Sequence, residues 1–158
     1  MKKQKDNAEI IAKPPVIYGA PFLIGILLNK FFSLKIFSEG ASASLLILSW
    51  ILVVFGFFLA GWIILIFLKK GEDIRPDKPT NIIITNGPFR FSRNPVYLSL
   101  NIVYIGLSLI LNNLWLIIFW PLAFLILRYG VISKEEQYLE RKFGKKYLVY
   151  KKRTRRWF

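Results

Sequence analysis

Two groups of side chains in this sequence have the types and spacing to hold a charged ligand. The first lies in Gly87-Pro88-Phe89-Arg90-Phe91-Ser92-Arg93-Asn94-Pro95-Val96-Tyr97. Asn94 is a capping type, and Pro95 suits a first helical position because it has no N–H to leave unpaired. A helix starting there points free N–H groups and a partial positive charge at whatever precedes it. Arg90 and Arg93 add full charges, so the stretch suits a carboxylate or phosphate. The alternative is a loop whose arginines only hold it on the cytoplasmic side of a membrane. The second group is Ser133-Lys134-Glu135-Glu136-Gln137-Tyr138-Leu139. Ser133 and Glu136 have capping-box spacing, which predicts a helix start. Two adjacent acids among so many cations are the less expected feature. Read plainly, Glu136 is a cap and Glu135 pairs with a lysine; read as a site, they face a ligand.

The elements that must position these groups are apolar. Residues 45–68 run for 24 positions without a charge, and a bilayer core needs about 20 such residues in a helix. Residues 16–28, extended by Phe31 and Phe32 past a snorkelling Lys30, form a first span whose Gly19, Pro21 and Gly25 predict a kink or close packing. Residues 96–111 and 114–127 make a third and a fourth, joined at Asn112-Asn113 as a helical hairpin. Asn81-Ile82-Ile83-Ile84-Thr85 is a short β-branched run ending in the turn signal Asn86-Gly87. In the tail, Glu136, Leu139, Phe143, Tyr147 and Tyr150 share one helix face, interrupted or capped at Gly144. The fold expected is a single all-α membrane domain over residues 1–158. It has four transmembrane helices and an interfacial amphipathic C-terminal helix.

Charge placement sets the topology. Of 23 lysines and arginines, 21 fall in residues 1–15, 69–95 and 128–158. The positive-inside rule then puts both termini in the cytoplasm, in the cell membrane. The net charge of +14 is explained by anionic lipid headgroups, with no nucleic-acid partner required. With no cysteine and no histidine, the chain has no thiolate nucleophile, no disulfide and no usual metal ligand or neutral-pH base. No metal site is expected.

Asn94, Tyr97, Asn101, Tyr104 and Ser108 follow at spacings of 3, 4, 3 and 4, which puts all five on one face of the third span. Asparagine inside a bilayer needs a partner, so this face looks into the protein. It is either helix–helix glue or the wall of a ligand pocket.

The Gly87-to-Tyr97 stretch, followed by Glu135-Glu136-x-x-Leu139 and Phe143-Gly144-x-x-Tyr147-x-x-Tyr150, resembles the isoprenylcysteine carboxyl methyltransferases and the related phospholipid methyltransferases over about residues 45–156. The resemblance implies an integral-membrane enzyme that moves a methyl group from S-adenosylmethionine to a lipophilic acceptor. That acceptor is an isoprenoid or prenylcysteine-like carboxylate, or a phospholipid amine. It implies donor contacts at Asn81, Ile82, Ile83, Ile84, Phe89, Asn94, Pro95, Val96, Tyr97 and Glu135. It implies catalytic positions at Arg93, Asn94 and Glu136, with Glu136 a candidate proton acceptor. The family motif has histidine where this chain has Asn94. It has a substrate-contacting arginine where this chain has Val131, with Arg128 one turn earlier. Both departures weigh against a prenylcysteine carboxylate. The rival reading is a small non-enzymatic membrane protein that binds anionic lipid through its basic tail.

Overall fold

The computed structural model describes residues 6–157. Lys2, Lys3 and Lys5, counted above toward the basic end, lie outside the described residues. Six helices follow in order: α1 Pro14–Phe31, α2 Ala43–Lys70, α3 Pro95–Ile110, α4 Leu114–Leu127, α5 Ser133–Phe143 and α6 Lys145–Arg153. No strand occurs among the described residues, and the β-branched run at 81–85 is irregular.

Local chemistry sets most boundaries. The Ser42 hydroxyl accepts the Leu45 N–H and caps α2, which ends on Gly71 in the left-handed region. Pro95 opens α3 as expected, but Asn94 does not cap with its side chain. Its amide is engaged elsewhere, by a carbonyl of the C-terminal segment. The helix start expected at Ser133 is also corrected. A π-helical turn, Arg128–Ile132, carries α4 straight into α5, and the Ser133 N–H bonds back to Arg128 O. Ser133 therefore has no free helix end to cap, and its hydroxyl donates to Arg128 O at 2.9 Å.

Three helices are long and apolar enough to cross a membrane: α1, α2 and the continuous Leu114–Phe143. The apolar part of the last ends near Ile132, where the charges of α5 begin. α3 has 16 residues, or about 24 Å of helix against a hydrocarbon core of about 30 Å. Of the four spans expected, it is the short one. The chain alternates direction, so 6–13, 71–94 and 128–157 gather at one end and 32–42 with 111–113 at the other.

Glycines set the closest packing. A Cβ on Gly56 of α2 would lie 2.5 Å from a Val103 methyl, and one on Gly106 of α3 would lie 2.8 Å from a Val53 methyl. The two helices meet nearly backbone to backbone, a membrane packing mode. Gly25 of α1 plays the same part against Leu116 of α4. Ile17, Tyr18, Tyr97, Tyr104, Leu116, Ala123 and Leu127 fill the centre. Leu23, Phe57, Phe58 and Leu122 remain exposed, as a lipid-facing surface requires.

Candidate functional site

The polar stripe of α3 faces inward: Asn94, Tyr97, Asn101, Tyr104 and Ser108 are all buried. In its deeper half one bond, from Trp120 of α4, ties α3 to another helix, and the Tyr104 hydroxyl is buried without a partner. Asn101 donates to Tyr97 O and accepts from Trp120 Nε1, each at 2.7 Å, and Ser108 donates to Tyr104 O. Its upper half opens on a narrow polar cleft at the loop end of the bundle, enclosing about 60 Å³.

The cavity is built from five places in the chain, the first being Phe67 near the end of α2. The 73–84 loop supplies Ile82, Ile83 and Ile84; the turn after Gly87 supplies Phe89; the start of α3 supplies Arg93 and Asn94; α5 and α6 supply Glu135, Glu136, Tyr147 and Tyr150. Tyr150 donates its hydroxyl to Phe89 O at 2.7 Å, fixing the turn. The Thr80 N–H bonds to the Tyr138 hydroxyl at 3.1 Å, fixing the loop. Eight of the positions implied by the resemblance therefore line one space. Val96 and Tyr97 line a second one beside it. Pro95 lines an apolar groove on the other flank of α3. Asn81 is exposed and off the lining, its N–H bonded to Glu72 Oε2.

The adjacent acids point apart, as neighbours about 100° apart on a helix must. Glu135 accepts the Tyr97 hydroxyl at 2.6 Å. Burial raises its carboxyl above the ordinary range; the Tyr97 bond opposes this and the neighbouring Glu136 adds to it. Glu136 is buried and faces two arginines. Arg93 Nη2 donates to it at 3.0 Å, and Arg156 Nε and Nη2 donate at 3.1 and 2.6 Å. Burial pushes Glu136 up, but the bonds from Arg156 and Arg93 outweigh it and hold the carboxyl low. With both oxygens bonded to cations, Glu136 has the geometry of a positioning group more than of a proton acceptor.

Arg93 is also committed within the protein, donating from Nη1 to Lys151 O and Thr154 O at 2.9 and 2.8 Å. Its Nε is buried with no partner. Arg90 is exposed on the surface, so the two arginines do not converge on one anion. Arg156 was not singled out from sequence. The signal was present in the uncompensated Glu135-Glu136 pair, but twenty residues separate it from its partner.

The second cavity, about 350 Å³, lies between Pro14 and Pro15 of α1, Ala60, Ile63 and Ile64 of α2, and Val96, Tyr97, Ser99 and Leu100 of α3. Its lining is apolar apart from a few groups, among them Lys13, Arg75 and Asp77. The two cavities share Ile74, Arg75 and Pro76, and the Tyr97–Glu135 hydrogen bond joins the lining of one to the lining of the other. Among the described residues, no cluster of acidic side chains could hold a metal ion.

The family model for phospholipid methyltransferases matches residues 44–146, spanning α2 through α5, the Gly87-to-Tyr97 stretch and the Glu135-Glu136 pair, and ending before Tyr147. No curated protein and no solved structure matches the chain. On a match covering well over half of its length, this membrane protein belongs to the phospholipid methyltransferase family.

Proposed function

We propose that the chain transfers a methyl group from S-adenosylmethionine to a lipophilic acceptor that enters from the bilayer. The observation that carries this reading is the pair of adjoining cavities. One is lined with charged and aromatic groups, the other is almost wholly apolar, and Tyr97 hydrogen-bonds Glu135 between them. A phospholipid amine is the acceptor class that fits the family, and Asn94 and Val131 stand where the prenylcysteine enzymes carry histidine and arginine.

The lining suits the donor's chemistry. A glutamate matches its ammonium or ribose hydroxyls, the helix start at Asn94 its carboxylate, and Ile82, Ile83, Ile84 and Phe89 its adenine. The buried, unpartnered Arg93 Nε is a further donor in the same wall. When bound, S-adenosylmethionine supplies an electrophilic methyl on a sulfonium sulfur. The protein's part is positioning and exclusion of water. Arg93 and Glu136 hold the start of α3 against α5. Asn94, unable to act as a base, holds the C-terminal segment through its amide. Glu135 orients what lies in the polar cavity.

The test is transfer of radiolabelled methyl to extracted membrane lipids, beside a water-soluble metabolite pool. Label in the lipid fraction is expected. Label confined to the soluble pool defeats the lipid acceptor, and no binding of S-adenosylhomocysteine by calorimetry defeats the donor.

A further inference from the structure

Residues 154–157 form a strap against the start of α3. Arg93 N–H donates to Arg155 O at 3.0 Å. Ser92 Oγ and Asn94 Nδ2 donate to Arg156 O at 2.9 and 3.1 Å. Trp157 packs its ring 5.3 Å from that of Phe124 on α4. The strap is thus tied by backbone to the start of α3 and anchored in the bundle, with Arg156 aimed inward at Glu136. It lies beyond residue 146, where the family match ends.

Glu136 is only 6% exposed and sits beside a second acid. A buried carboxylate needs compensation, and one arginine already shared with two carbonyls supplies it poorly. The groups facing this cluster are Glu135 and Glu136 on α5, Tyr97 on α3, Arg93 before it, Tyr147 on α6 and Arg156 on the strap. Two cations balance two acids only when Arg156 is in place.

We propose that Arg156 is a positioning residue of the donor pocket: by neutralising Glu136 opposite Arg93, it leaves the Glu135 carboxylate to the cavity. This rests on the donor reading given above. Without Arg156, the charge of Glu136 bears on Glu135 and makes it harder to ionise. Arg93 is then the one remaining cation in the cluster. The ligand loses its charged partner although Arg156 never touches it.

Calorimetry with S-adenosylhomocysteine on the full chain in detergent tests this. Arg156→Gln, which keeps a hydrogen-bond donor but no charge, should weaken binding tenfold or more at neutral pH and less at higher pH. Arg156→Lys should stay within threefold of the wild type. Adding Glu136→Gln to Arg156→Gln should restore most of the affinity, because the charge that Arg156 answers is gone. A packing role alone would show no such rescue. Unchanged affinity in Arg156→Gln, or no recovery in the double variant, overturns the proposal while the wild type still binds. Wild-type protein that binds no ligand overturns the donor reading, and this role with it. If Arg156→Gln does not fold, Arg156→Met takes its place: a tenfold loss that added Glu136→Gln recovers supports the proposal, and unchanged affinity or no recovery overturns it.

Discussion

The two ends of the helical bundle use asparagine and its neighbours in opposite ways. At the turn end, Asn112 exchanges both hydrogen bonds with the backbone of Phe37. Asn113 caps α4 through the Trp115 N–H and donates to Gly25 O. The side chains of this turn are paired, while in mid-bundle the Tyr18 and Tyr104 hydroxyls are buried without a partner. At the loop end, Asn7 Oδ1, Asp77 Oδ1, Arg93 Nε and Arg128 Nε are all buried without one. The two cavities that meet at Tyr97 and Glu135 also lie there. A closed set of bonds serves stability, and a set left open beside a cavity serves binding.

Labelling gives the largest contrast between the ends, because it is all or none. The chain has no cysteine, so single introduced thiols report cleanly. Ser38→Cys, at the turn end, should react with an impermeant maleimide added to intact cells, and Lys78→Cys, at the loop end, should not. The reverse pattern would put the cavities outside and overturn a cytoplasmic donor site.

Next is the loss of the open carboxylate. Glu135→Gln should weaken S-adenosylhomocysteine by about 1.5–3 kcal/mol, the range of a hydrogen bond to a charged group. Its melting temperature should not fall, since the neutral amide no longer opposes burial. A variant that melts early but binds normally would make Glu135 a structural residue and erase the contrast.

At the closed end the signs exchange. Asn113 is 1% exposed, and Asn113→Ala removes an N-cap and the partner of Gly25 O. The expected cost is about 1–2 kcal/mol of stability. Ligand affinity, measured below the melting range, should match the wild type. Weakened binding at full folding would mean that the ends are coupled through α4.

How much of this was legible in the sequence depends on the reach of each interaction. The four apolar segments and the inward stripe from Asn94 to Ser108 were legible because helix periodicity is local. Pro95 marked the start of α3 for the same reason. Asn94 as a side-chain cap failed because Arg156 O, 62 residues on, takes its amide. The capping box at Ser133 failed because a π turn carries the helix through, and no local residue type announces that. The Glu135-Glu136 pair was legible as an anomaly, but not the partners of each acid: Tyr97 for Glu135, Arg93 and Arg156 for Glu136.

The smallest effect expected is on pH dependence, to which the two glutamates contribute on opposite sides of their ordinary range. Bonds from Arg156 and Arg93 overcome burial and hold the folded Glu136 carboxyl below its ordinary value. Its contribution is therefore complete above the ordinary glutamate range and is lost as pH falls through the folded value. Burial holds the folded Glu135 carboxyl above its ordinary value. Its contribution is complete below the ordinary range and is lost as pH rises through the folded value. In the unliganded protein the two windows lie on opposite sides of the ordinary glutamate value, so stability should peak near it, falling on acidification through Glu136 and falling as pH rises through the Glu135 transition. Each variant should remove one side of this profile. Glu136→Gln should leave a protein that loses stability as pH rises through the Glu135 transition, and Glu135→Gln one that loses it only on acidification. Ligand affinity should follow Glu135 alone, strengthening as pH rises, because an ionised carboxylate is what meets the ligand's ammonium. Affinity that instead tracked the acid-side transition in Glu135→Gln would make Glu136 the ligand's partner and exchange the roles of the two acids.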